Sequence, residues 1–119
     1  MENFSKNKLR KERHQRTRSK IQGTNLRPRV SIHKSLKHLY IQLIDDQKQK
    51  TILGISDKML KGKDQKLNPL KKSKILAQLI AQKAKKLGIK KIVFDRSGYA
   101  YKGIIKEIAE NLRHGGLKF

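Results

Sequence analysis

The chain has 119 residues, and 31 Lys and Arg against 9 Asp and Glu give it a formal net charge of +22 at pH 7. A small soluble domain carries a net charge of about 2–8 in magnitude, so this excess predicts a polyanionic partner that screens the repulsion between the cations. The sequence contains no Cys, which excludes a disulfide framework, a thiolate metal site and a Cys nucleophile.

The first part of the chain, residues 1–29, is basic and poor in large apolar side chains. It holds ten Lys and Arg against two Glu, so it cannot bury an apolar face of its own. We therefore predict a basic N-terminal arm over 1–29, disordered or helical on RNA, and a globular domain over 30–119. No apolar run follows the basic start, and no stretch approaches the ~18 apolar residues of a membrane span. We expect neither export nor a membrane partner.

Strand patterns open the globular domain. Val30 and Ile32 alternate with polar neighbours, a second alternating run covers 38–45, and a third covers 50–56. Short connections favour antiparallel neighbours, so these runs predict a three-stranded meander. A polar loop rich in Lys and Asp is expected over 57–68.

Two helices and a fourth strand are predicted after this loop. Asn68 and Pro69 are typical of a helix N-cap and first position, and Gly88 fits the C-terminal cap. A fourth strand over 89–95 and a second helix over about 103–114 complete a mixed α/β domain (β-β-β-α-β-α) with both helices packed on the sheet. The residues expected to face inward are Leu76, Ile80 and Leu87 in the first helix, Ile104, Ile105, Ile108 and Leu112 in the second, and Leu117 and Phe119 in the tail.

The basic arm is the strongest functional signal in the sequence. Lys and Arg that neutralise phosphates release counterions, and Arg side chains match phosphate oxygens bidentately. The alternative is a solvated tail, but the globular domain is also basic, which favours a nucleic acid as the partner. The candidate contacts are Lys8, Arg10, Lys11, Arg13, His14, Arg16, Arg18, Lys20, Arg27 and Arg29 near the arm, and Lys34, Lys37 and His38 at the first turn of the domain.

Two tyrosines lie in the loop after the predicted fourth strand. Tyr99 and Tyr101 are accompanied by Arg96 and Lys102, and aromatic side chains beside cations can stack on unpaired RNA bases. The alternative is that one tyrosine packs beneath the second helix, and we expect this of Tyr101 rather than Tyr99. All four residues are candidate RNA contacts.

The sequence gives little support to the hypothesis that the protein is an enzyme. The four His residues show no metal-ligand spacing, and we expect no cofactor, no metal site and no catalytic residue. Asp45, Asp46 and Asp95 follow predicted strands and could hold Mg²⁺ for phosphodiester cleavage, which leaves an RNA-processing nuclease as an alternative. Asp45 and Asp46 are more typical of turn formers, and Asp95 of a partner for a neighbouring Arg or of a loop cap. A general DNA-compacting protein is a third hypothesis.

Several ordered motifs resemble one known family, the bacterial-type L-eighteen family of large-subunit ribosomal proteins, which bind 5S rRNA. The resemblance covers nearly the whole chain from about Lys8, and the number of motifs in a short chain makes it specific. The motifs cover Arg27–Ser31, Lys37–Gln42, Ile44–Asp46, Gly88–Arg96, Gly98–Tyr99, Tyr101–Gly103 and Gly116–Phe119.

The resemblance implies a structural rRNA-binding protein that is not an enzyme and takes no small-molecule substrate. It would bind 5S rRNA with its basic arm and one face of the domain, and help attach that RNA to 23S rRNA in the central protuberance, near the 5S-binding protein L-five. The expected location is a cytoplasmic bacterial ribosome, with an organellar ribosome as the alternative. The chain departs from the family at Lys102 and Ile104, where members often have His and Arg; Ile104 lacks the cation.

Overall fold

The computed structural model shows one mixed α/β domain with a helical segment before it. Its core lies between one face of a four-stranded sheet and two helices. The structure describes residues 8–13, 15–16, 22–35, 38–60, 62, 66–97 and 99–119.

The four strands form a single sheet in the order β3-β2-β1-β4. The antiparallel pairing of the first three strands confirms the predicted meander, and β4 adds to the other side of β1 in parallel. The strands are β1 (Arg29–Lys34), β2 (Leu39–Asp45), β3 (Lys50–Ser56) and β4 (Val93–Asp95).

The fourth strand is shorter than predicted, because the residues before it pair with the end of the chain. The Ile92 N–H donates to the Lys118 carbonyl at 3.0 Å, and Lys91 forms an isolated parallel bridge with Lys118. Phe119 then stacks on Phe94 at a ring-centroid distance of 5.4 Å. The tail is therefore fixed to the domain, as the sequence predicted.

Two long helices cover one face of the sheet: α1 (Pro69–Lys86) and α2 (Ile104–His114). The predicted cap of α1 is confirmed, since the Asn68 side chain accepts from the Lys71 N–H at 2.9 Å. Gly88 follows the helix with φ at +79°, a left-handed conformation that glycine adopts without strain. The assignment of Leu87 to the inner face is wrong. It follows the last helical residue and is 58% exposed.

The core follows from the alternation in the strands and the helical spacing in α1. α1 packs on β2 and β3, and α2 packs on α1. A short 3-10 helix (Asp57–Met59) stands where the sequence predicted only a loop. In the described part of the chain, no helix is long and apolar enough to cross a membrane. The largest fully buried apolar side chains are Ile32, Ile41, Leu43, Leu76, Ile80, Ile92, Ile108, Leu112 and Val30.

Candidate RNA-binding surface

The N-terminal basic segment is docked on the domain through Arg10. Residues 8–13 and 15–16 are helical, in keeping with their Lys, Leu, Arg and Glu, which are good helix formers. Arg10 Nη1 donates to the Ser97 carbonyl at 3.0 Å, and its guanidinium lies 4.7 Å from the centroid of the Tyr99 ring. One cation of this segment is thus used to hold it against the loop after β4.

Tyr99 connects this contact to the end of β1. Its hydroxyl donates to the Lys34 carbonyl at 3.1 Å and accepts from the Lys34 N–H at 3.3 Å, while its ring packs against the core. Tyr101 is 39% exposed, and its hydroxyl accepts from Arg113 Nη1 at 3.3 Å. The expectation that Tyr101 is the packed tyrosine is therefore wrong, because Tyr99 takes that position.

Most of the remaining predicted contact residues lie at the surface. His38 is half-buried, and its Nδ1 lies 3.3 Å from Asp57 Oδ1. His14, Arg18, Lys20 and Lys37 lie outside the described residues. The exposed cations of the predicted set are Lys8, Lys11, Arg13, Arg16, Arg27, Lys34, Arg96 and Lys102.

Arg29 differs from this group, because its side chain is inside the protein. It is 7% exposed, and its guanidinium donates to both carboxylate oxygens of Asp46 and, from Nη1, to Asp95 Oδ2 at 2.9 Å. Asp95 also accepts from the Ser97 N–H at 2.8 Å. Arg29 thus neutralises the fully buried carboxylate of Asp95 and the partly buried one of Asp46.

The carboxylates of the nuclease alternative are thus engaged in the structure of the domain. Asp45 Oδ1 accepts from the Gln47 and Lys48 N–H groups at 3.0 and 3.3 Å, as predicted for a turn former. Asp95 binds Arg29, as predicted for a partner of a neighbouring Arg, and Asp46, which was predicted only as a turn former, binds the same Arg. Among the described residues, no three or more His, Asp or Glu side chains form a group that could hold a metal ion.

Sequence reasoning missed an aromatic and cationic group on the side of the sheet turned away from the helices. The His33 and Tyr40 rings lie 6.1 Å apart, and Lys58 Nζ lies 5.8 Å from the Tyr40 centroid. The alternation of Tyr40 with Leu39 and Ile41 already places its side chain on this face. The position of Lys58 depends on the 3-10 helix, which the sequence did not reveal.

Comparison with known proteins identifies the chain as a ribosomal protein. Residues 4–119 match the family described as ribosomal L18 of archaea, bacteria, mitochondria and chloroplasts. The chain is 47% identical over 116 residues to the large ribosomal subunit protein uL18 of Caldanaerobacter subterraneus subsp. tengcongensis, covering 97% of this chain and 96% of that protein. It is also 47% identical over 118 residues to uL18 of Petrotoga mobilis, covering 98% and 97%. The chain therefore belongs to the ribosomal L18 family.

Family membership confirms the resemblance found in the motifs. The protein has a structural role in the ribosome and acts in translation. Its similar relatives are bacterial large-subunit proteins, so the bacterial cytoplasm is its location.

Proposed function

We propose that this protein binds 5S rRNA and helps attach it to 23S rRNA in the central protuberance, beside the protein L-five. The observation that carries the proposal is the family match over residues 4–119, which includes the basic N-terminal segment as well as the domain. The net charge of +22 supplies the affinity for phosphate. In this proposal the basic arm predicted over residues 1–29 and the domain predicted over 30–119 both contact the RNA, although Arg29 itself begins β1 and lies inside the domain.

The proposed contact residues fall into three groups, which pair with phosphates, position the arm or stack on a base. The exposed cations of the arm and of the loops pair with phosphates, since folded RNA is recognised largely through phosphates, 2′-hydroxyls and shape. Arg10 and Tyr99 hold the arm in position, and Tyr101 is exposed enough to stack on a base. The residues proposed to touch RNA directly are Lys8, Lys11, Arg13, His14, Arg16, Arg18, Lys20, Arg27, Lys34, Lys37, His38, Arg96, Tyr101 and Lys102.

The test is a comparison of RNA ligands at physiological salt. We expect the protein to bind 5S rRNA much more tightly than an unrelated RNA of equal length, and to prefer it over duplex DNA. Deletion of residues 1–20 should leave the domain folded and remove most of the affinity, with a smaller dependence on salt. Equal affinity for both RNAs overturns the specificity, and unchanged binding by the truncated protein overturns the role of the arm.

We also propose that the protein catalyses no reaction on its RNA. Asp46 and Asp95 are both bound to Arg29, and Asp45 is used in a turn. Labelled RNA incubated with the purified protein and Mg²⁺ should stay intact. Cleavage that disappears in Asp95→Asn would instead establish the nuclease alternative.

A further inference from the structure

A cavity of about 270 Å³ opens where β1 ends, β2 begins and the two helices start. It borders the packed core, since Leu39 is buried in that core and Ile104 packs against it, and it shares Lys34 and His38 with the contacts described above. Its walls combine cationic and apolar side chains. Those that matter here are the polar side chains of Lys34, His38 and Lys72 and the apolar side chains of Leu39, Pro69 and Ile104.

The charge around this cavity favours an anionic group. Lys34 and Lys72 supply two ammonium groups, and Pro69 and Ile104 are the first residues of α1 and α2. The positive ends of both helix dipoles therefore lie at the wall of the cavity. The helix dipoles thus add to the positive electrostatic potential that the two lysines create in the cavity.

The carboxylate in the wall, that of Asp57, is occupied by groups of the protein. Asp57 is 4% exposed and accepts from the Leu39 N–H at 3.3 Å and from the Ser56 hydroxyl at 3.4 Å. His38 Nδ1 lies 3.3 Å away, and Lys72 Nζ lies 3.9 Å from its second oxygen. Asp57 therefore positions His38 and Lys72 at the cavity, and the Lys72 ammonium group offsets its charge.

The cavity adjoins the place where the arm is docked. The backbone of Lys34 is fixed on both its N–H and its carbonyl by the Tyr99 hydroxyl, and the Tyr99 ring carries the Arg10 guanidinium. An RNA that follows the arm to this contact reaches the side chain of Lys34 and, through it, the cavity.

We propose that this cavity binds one unpaired nucleotide of the RNA, with its base against Leu39, Pro69 and Ile104 and its phosphate between Lys34 and Lys72. The volume suits a single base with part of its sugar, since sites for whole small-molecule ligands start at about 300 Å³. Sequence-specific RNA recognition commonly uses such splayed, unstacked bases. The inference rests on the proposed RNA-binding function and adds the kind of nucleotide that is recognised.

The experiment uses the full chain and the 5S rRNA encoded by the same genome. Ile104→Trp fills the cavity from its apolar side, and Lys34→Gln removes a cation from an exposed position where folding is not at risk. Leu87→Trp and Lys74→Gln make the same chemical changes at exposed positions outside the cavity. Circular dichroism checks folding, and fluorescence anisotropy titrations give the affinities. Acylation of the 2′-hydroxyl groups measures the reactivity of each nucleotide, with and without protein.

We expect the wild type and both controls to protect the same set of unpaired nucleotides. Ile104→Trp should restore the reactivity of one of them and weaken binding roughly ten-fold, in line with the loss of one stacked base. Lys34→Gln should reduce the magnitude of the slope of log affinity against log salt concentration by about 0.7–1, because one phosphate contact is lost. If both cavity variants match their controls while the wild type still selects 5S rRNA, the cavity proposal is overturned and the proposed function stands. If the wild type does not select 5S rRNA, both are overturned.

Discussion

Arg29 and Asp95 form a buried ion pair across the parallel β1–β4 pairing, with 2.9 Å between Nη1 and Oδ2. Asp95 is completely buried and Arg29 is 7% exposed. Asp46, from the turn after β2, completes the arrangement by accepting from the same guanidinium. A single Arg thus ties together three places that are distant in sequence, and β4, only three residues long, has this pair as an additional tie to β1.

Replacement of Arg29 should destabilise the domain strongly. Arg29→Ala leaves the Asp95 carboxylate buried without its cation, and breaking a buried pair in this way costs about 3–5 kcal/mol. The matched control is Arg27→Ala, which removes the same charge from an exposed position and should change the free energy of unfolding by less than about 0.5 kcal/mol. Urea denaturation of the two variants measures both values. Similar stabilities would show that the buried pair does not hold β4.

The contrast between these two arginines shows a limit of sequence-based prediction. Arg27 and Arg29 lie two residues apart in one basic segment, and the sequence assigned both to RNA. Arg29 turns inward because the fold brings Asp46, from the turn after β2, and Asp95, from the end of β4, close to its side chain. The sequence predicted that Asp95 could pair with a neighbouring Arg. It could not predict that this pair is buried, because burial depends on tertiary structure.

The Arg10 contact should hold the N-terminal helical segment on the domain. Arg10→Ala removes a hydrogen bond to Ser97 and a cation–π contact with Tyr99, and the latter is worth about 0.5–2 kcal/mol. We expect faster amide hydrogen exchange in residues 8–16 with little change in global stability. Lys11→Ala is the control, because Lys11 is exposed on the same segment and should leave exchange unchanged. Equal exchange in both variants would show that Arg10 does not anchor the segment.

Local patterns predicted the elements of the fold because each depends on neighbouring residues. The alternation around Ile41 and the capping by Asn68 are examples. Asp57 could not be placed in this way, since its partners come from β2 and α1 and are brought together only by tertiary packing. The sequence named the wrong tyrosine as the packed one for the same reason. Tyr99 and Tyr101 lie in the same loop, and only the hydrogen bonds between Tyr99 and Lys34, which depend on tertiary structure, show which of them packs.

Substitution of Tyr99 should therefore lower stability, whereas substitution of Tyr101 should weaken RNA binding. Tyr99→Ala removes a ring that packs against the core and supports Arg10, and should destabilise the protein by roughly 2 kcal/mol. Tyr101→Ala should change stability by less than about 0.5 kcal/mol and instead weaken RNA binding by about 1 kcal/mol if its ring stacks on a base. Thermal denaturation and RNA titration of both variants check this division. The reverse pattern would contradict the assigned roles.

Gly23 should be a position where even one methyl group disrupts the domain. Its carbonyl accepts from the Asp46 N–H at 3.0 Å, and a Cβ atom built on it would lie 2.5 Å from the Ile44 carbonyl oxygen. Because the obstacle is backbone, Gly23→Ala must displace the segment before β1, and we expect a loss of about 1–3 kcal/mol. Gly54→Ala in β3 is the control, since its nearest neighbour would be a flexible Gln42 atom at 3.9 Å, and lower unfolded-state entropy should leave it neutral or up to about 1 kcal/mol more stable. Chemical denaturation of the pair, followed by hydrogen exchange at the Asp46 amide, distinguishes a local clash at Gly23 from a general intolerance of alanine in the sheet.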